Sequence, residues 1–113
     1  MSAAAAPTPA TRARIDGLDA KALREGVDQV KQKLPDSVVL LATGAAGKVS
    51  LVAGVAGRAQ GKVKAGELLS HVAAQIGGKG GGRPDLAQGG GEDSPQVAAA
   101  LAGVVEWVRA RLS

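Results

Sequence analysis

The sequence predicts an α/β (α+β) domain, a small mixed sheet covered by helices. Three observations carry that reading. Two apolar runs of strand length, 37–43 and 49–56, flank the turn-forming stretch Gly44-Ala45-Ala46-Gly47. Three longer segments repeat apolar residues every three or four positions, the period of a helix with one buried face. The resulting order is helix, strand, strand, helix, strand, helix, which suits helices packed over a short sheet.

Each element has its own signals. Residues 1–17 read as a flexible, linker-like lead, because the Ala/Pro/Thr stretch at its start has little to bury. The domain proper is assigned to 18–113. Asp19 is placed to cap the first helix, whose stripe is Leu23, Val27, Val30 and Leu34, and Pro35 stops it. The two apolar runs then form a hairpin. Residues 58–64 are a basic connection into a second helix at 65–76, with Leu68, Leu69, Val72, Ala73 and Ile76 as its stripe and Gly77 as its terminator. Residues 85–88 are assigned to a short returning strand. The last helix starts at Ser94-Pro95, cap and first position, and buries Val97, Leu101, Val104, Val105, Val108 and Leu112.

From the end of the second helix to just beyond the returning strand runs the least ordinary stretch. Gly77, Gly78, Gly80, Gly81, Gly82, Gly89, Gly90 and Gly91 fill eight of fifteen positions, with Lys79 and Arg83 among them. It fails as a Walker A loop, because Lys79 is followed by Gly80 where a hydroxyl is needed for magnesium. It also fails as a dinucleotide fingerprint, because Arg83 stands where the third glycine belongs. Two readings remain. One is a flexible, amide-rich loop suited to phosphate or carbonyl contacts; the other is a set of glycines that merely allow a tight crossover between helix and strand.

Charge is the second functional signal. Between Gly44 and Arg83 stand Lys48, Arg58, Lys62, Lys64, Lys79 and Arg83 against Glu67 alone, a net +5, whereas the whole chain is +4. If the loops carrying them share one end of the sheet, they form a continuous basic surface fit for a phosphate backbone; otherwise they are ordinary solvated cations. Duplex RNA is recognised mainly by shape and backbone, and the chain has one tryptophan and no tyrosine or phenylalanine for base stacking. Trp107 reads as a partly buried packing residue. His71, the single histidine, reads as a helix-surface residue without catalytic partners. Cysteine is absent, which excludes disulfides and thiolate metal sites. No cofactor or metal is expected. The start lacks the charge and apolar run of a signal peptide, and no segment nears the roughly 20 apolar residues of a membrane span. These features predict a cytoplasmic chain.

The string Gly-Gly-Lys-Gly-Gly-Gly-Arg-Pro-Asp-Leu-Ala-Gln-Gly-Gly-Gly, 77–91, closely resembles the signature near the carboxyl end of bacterial alanyl-tRNA synthetases, in their DHHA1 domain. Lys33-Leu34-Pro35-Asp36-Ser37-Val38-Val39-Leu40-Leu41-Ala42, Lys62-Val63-Lys64-Ala65-Gly66-Glu67-Leu68-Leu69 and Val104-Val105-Glu106-Trp107-Val108 extend the likeness to most of the chain. The resemblance implies a DHHA1-like fold and a tRNA-binding accessory domain that grips the outer corner of tRNA, assisting aminoacylation and editing by other domains. It implies tRNA and the rest of a synthetase as partners, no enzyme activity in this chain alone, and a monomer more readily than a dimer. A structural or dimerisation module with little RNA affinity is the alternative. DHH phosphoesterases carry Gly-Gly-Gly-His where this chain has Gly80-Gly81-Gly82-Arg83, a departure that favours the synthetase branch.

Overall fold

The computed structural model describes residues 10–33 and 36–112. Five strands and four helices follow in the order β1 (Ala10–Arg14), α1 (Ala20–Lys33), β2 (Val38–Ala45), β3 (Lys48–Val55), α2 (Ala65–Gln75), β4 (Lys79–Gly82), β5 (Leu86–Glu92), α3 (Gln96–Ala102) and α4 (Val104–Leu112). The strands form one mixed sheet in the order β1-β2-β3-β5-β4, parallel only between β1 and β2. Helices cover both faces. Leu23 and Val27 of α1 pack on Val39, Leu41 and Val52. On the other face α2, α3 and α4 bury Val38, Leu40, Ala42, Leu51, Ala53 and Val55. The continuous apolar character of β2 follows, since a strand covered on both faces has no solvent side to make polar.

Local signals explain the first half. Asp19 accepts a hydrogen bond from the Ala22 amide through Oδ1 at 2.7 Å, the N-terminal cap expected from its position. Leu34 and Pro35, read as the end of that helix, lie outside the described residues. A Cβ on Gly54 would strike the side chain of Val27, so the glycine lets α1 settle directly onto β3. The β2–β3 turn is tighter than the four residues expected. Pairing runs to Ala45 and Lys48, leaving only Ala46 (φ 55°) and Gly47 (φ 78°) between the strands. Two successive positive φ values are those of a type I′ turn, whose twist matches a hairpin.

Where the sequence predicts a lead over 1–17, residues 10–14 form β1, on the sheet's outer edge beside β2. Its ladder is made by backbone groups, so the composition carries no sign of it. Residues 1–9 lie outside the described residues. The connection after β3 contains a 3-10 turn, Gly57–Gly61, before Lys64 leads into α2. Gly77 ends that helix with φ 69°, and the Gly78 amide donates to the Ala73 carbonyl at 2.8 Å, a Schellman closure.

The glycine segment is a correction. The expected flexible loop is instead a hairpin of β4 and β5, paired from Lys79↔Gly90 to Gly82↔Ala87, and the short returning strand at 85–88 lengthens to Leu86–Glu92. Close packing gives the reason. A Cβ on Gly91 would lie 2.6 Å from Cγ1 of Ile76, and one on Gly80 would lie 2.9 Å from Cα of Gly89. The missing side chains let β5 slide between β3 and β4 beneath α2. At the carboxyl end, one predicted helix is two, α3 and α4, interrupted at Gly103. Ser94 does not cap with its side chain; its backbone carbonyl accepts from Val97 at 3.0 Å, and Pro95 holds the cap position with φ −57°.

Candidate nucleic-acid interface

Strand register divides the six predicted cations between two ends of the sheet. Lys48 follows the β2–β3 turn and pairs across to Glu92, while Lys79 opens β4 opposite Gly90. Both are at the hairpin end. Lys62 and Lys64 precede α2 at the opposite end, where Arg83 closes the β4–β5 turn and its amide donates to the Leu86 carbonyl at 3.0 Å. The backbone of Arg58 lies in the nearby 3-10 turn; its side chain is outside the described residues. Lys79 and Arg83 are four residues apart on an extended segment, about 14 Å at about 3.4 Å per residue. The condition for one continuous basic surface therefore fails, because the loops do not share one end.

The two ends differ in balance. At the hairpin end, Arg14 donates to Asp93 at 2.7 and 2.8 Å and to Asp16 at 2.8 Å, and the Gly44 amide donates to Asp16 at 3.0 Å. These bonds hold both carboxyls below the usual carboxylate range, chiefly through the Arg14 guanidinium, and push Arg14 up. With Glu92 beside Lys48, three carboxylates there face the three cations Arg14, Lys48 and Lys79. Around the opposite end stand Lys31, Lys62, Lys64, Arg83 and Arg111 with Asp36, Glu67 and Asp85. Of these carboxylates, Asp85 is 3.8 Å from Arg83 and Glu67 is 3.7 Å from Arg111. Cations outnumber acids only at this end.

The same end holds a groove of about 580 Å³ between α2, α4 and the exposed strand β4. Its wall is a pair of rings, His71 and Trp107, with centroids 5.4 Å apart and planes 24° from parallel. The Arg111 guanidinium lies over the Trp107 ring at 4.5 Å. The hydroxyl of Ser70 donates to the Gly80 carbonyl at 2.9 Å and ties α2 to β4. His71 is exposed and Trp107 is partly buried against the core, as their positions predict. Their contact with each other and with Arg111 is missed by sequence reasoning. The available hint is spacing: Glu67/His71 and Trp107/Arg111 are each four residues apart, so each pair shares a helix face. Among the described residues no group of three potential metal ligands converges, and no helix is long and apolar enough to cross a membrane.

Comparison with known proteins adds four findings. Residues 8–110 match the family model of the DHHA1 domain. The chain is 69% identical over 100 residues to an alanine–tRNA ligase of Stenotrophomonas maltophilia (strain K279a). It is 68% identical over 99 residues to one of Xanthomonas campestris pv. campestris (strain B100). Each alignment takes 88% of this chain but 11% of the relative, so the chain spans about a tenth of the length of these curated relatives. The solved C-Ala domain of Aquifex aeolicus alanyl-tRNA synthetase superposes with a TM-score of 0.79 at 29% identity, covering 88% of both chains. One domain accounts for nearly all of these residues, so the chain itself contains no synthetase catalytic core.

Proposed function

The chain belongs to the DHHA1 domain family, and from that membership we propose that it is the tRNA-binding accessory domain of an alanine–tRNA ligase. It grips the outer corner of tRNA through shape and phosphate contacts, and so helps the aminoacylation and editing domains work on one bound tRNA. Its partners are tRNA and the remainder of the synthetase; it acts in the cytoplasm, and this chain by itself is a monomer. The observation that carries the reading is the uneven charge of the sheet's two ends. Lys62, Lys64 and Arg83, with Arg58 on the neighbouring turn, stand where cations outnumber carboxylates, beside an open groove. Lys48 and Lys79 contribute less, because Asp16, Asp93 and Glu92 offset them. The likeness to alanine–tRNA ligases and to a C-Ala domain supports tRNA as the nucleic acid.

The test is binding of the purified chain to folded tRNA at two salt concentrations, with an unstructured RNA of equal length as competitor. Salt-sensitive preference for folded tRNA is expected, because each phosphate contact releases counterions. Equal affinity for both RNAs would reduce the surface to general electrostatics. No binding at low salt, with a mass that grows with concentration, would instead identify a structural module.

A further inference from the structure

Arg83 stands in the turn between β4 and β5, and its side chain is 76% exposed. So little packing leaves the side chain its rotamer freedom, and the reach of its guanidinium is set by the backbone that carries it. That backbone is fastened at three successive residues. The Arg83 amide donates to the Leu86 carbonyl at 3.0 Å. The Ala65 amide, at the start of α2, donates to the Pro84 carbonyl at 2.8 Å, and the Val55 amide of β3 donates to the Asp85 carbonyl at 3.0 Å. Pro84 adds a fixed φ. The Asp85 carbonyl then takes a second donor, Nζ of Lys31, at 3.1 Å.

Lys31 reaches this turn from the last turn of α1, on the opposite face of the sheet from α2. Its half-buried stem crosses β3 at Gly54, where an added Cβ would lie 3.0 Å from Cδ of Lys31. Gly54 pairs with Leu86, the residue after Asp85, so the bare position lies on the way to the turn. A carbonyl oxygen has two lone pairs, so the Val55 amide and the Lys31 ammonium share it without competing. The amide fasteners are backbone groups that nearly any sequence would supply. Lys31 holds the turn by a side chain, through a charged donor, which makes the stronger bond. We propose that Lys31 is a positioning residue of the RNA interface. Bound to the Asp85 carbonyl, it fixes the β4–β5 turn so that Arg83 meets its phosphate, and it does not itself touch RNA. The inference rests on the tRNA-binding reading and deepens it, adding to the surface cations a residue that acts through one of them.

The full chain is titrated with folded tRNA at four salt concentrations, for the natural sequence, Lys31→Met, Arg83→Ala and the two substitutions combined. Methionine keeps the stem over Gly54 and removes the donor. Arg83→Ala is expected to lower the slope of log K against log salt by about 0.7–0.9, the share of one phosphate contact. Lys31→Met is expected to weaken binding about three- to tenfold in the natural chain but less than about twofold in the Arg83→Ala chain, the non-additivity of residues in one network. Its effect on the slope should likewise vanish once Arg83 is gone. Amide exchange, read by mass spectrometry without RNA, is expected to be faster at Arg83 in Lys31→Met and unchanged in α2. Equal losses with and without Arg83, each with its own fall in slope, would make Lys31 a direct phosphate contact and overturn the positioning role. Lys31→Met binding within about twofold of the natural chain, or unchanged exchange at Arg83, would overturn it too, with RNA binding left standing. A natural chain that binds no RNA would overturn the RNA reading, and this role with it.

Discussion

Replacing Lys64 and Arg83 together by alanine should change how tRNA affinity responds to salt, and replacing Lys48 and Lys79 should not. The contrast follows from the carboxylates. Asp16, Asp93 and Glu92 surround the hairpin end, where Arg14 is already committed to two of them at 2.7–2.8 Å. The ends are about 14 Å apart along β4, more than the Debye length of about 8 Å at physiological salt, so each acts largely by itself. If Lys64 and Arg83 each neutralise one phosphate, losing both lowers the slope of log K against log salt by about 1.4–1.8. Between about 50 and 200 mM salt the natural chain would then lose about tenfold more affinity than the double variant. The assay is a filter-binding series at four salt concentrations, with the Lys48→Ala/Lys79→Ala chain as control. An equal or larger change of slope in the control would refute the assignment of the interface to the groove end.

Other outcomes follow from particular contacts. Ala46→Gly should stabilise the hairpin by about 0.5–1 kcal/mol, since an L residue at φ 55° carries a steric cost that glycine lacks; urea unfolding followed by Trp107 emission reads it. Gly91→Val should destabilise by about 1–3 kcal/mol or more, because its side chain meets Ile76, whereas Gly81→Val should stay within about 0.5 kcal/mol. Differential scanning calorimetry separates the two. Asp16 and Asp93 have folded-state values below the unfolded carboxylate value, so their stabilisation is present at neutral pH and lost as pH falls through those lowered values. Asp93→Asn should accordingly lower Tm at pH 7 and flatten the fall of Tm in acid. An unchanged Tm profile would exclude the Arg14 cluster as a source of acid sensitivity.

What the sequence disclosed was local, and what it hid was tertiary. The Asp19 cap, the paired apolar runs and the Gly77 terminator each act within a few residues, and each is where its neighbours predict. β1 escaped because an edge strand is held by backbone pairing, which Ala-Thr-Arg-Ala-Arg does not advertise. β4 and β5 escaped because alternation is carried by side chains, and glycine has none to alternate. The cations were identified by type, but only register showed that Lys48 and Lys79 stand apart from Lys62, Lys64 and Arg83. The groove needed two helices brought together. Nothing in the separation of His71 from Trp107 along the chain announces that their rings stack.

The sheet order has a consequence for solubility. An open sheet ends in two strands whose outward amides and carbonyls invite another chain to pair with them. Here those positions fall to β1 and β4, which carry no apolar residue larger than alanine, while Val and Leu fill the interior of the sheet. One border carries Arg12 and Arg14; the other is bare backbone headed by Lys79. A passing strand would find charge on one side and no side chains to grip on the other. The residues that look least like strand formers are thus suited to be the borders, where a stickier sequence would join one molecule to the next.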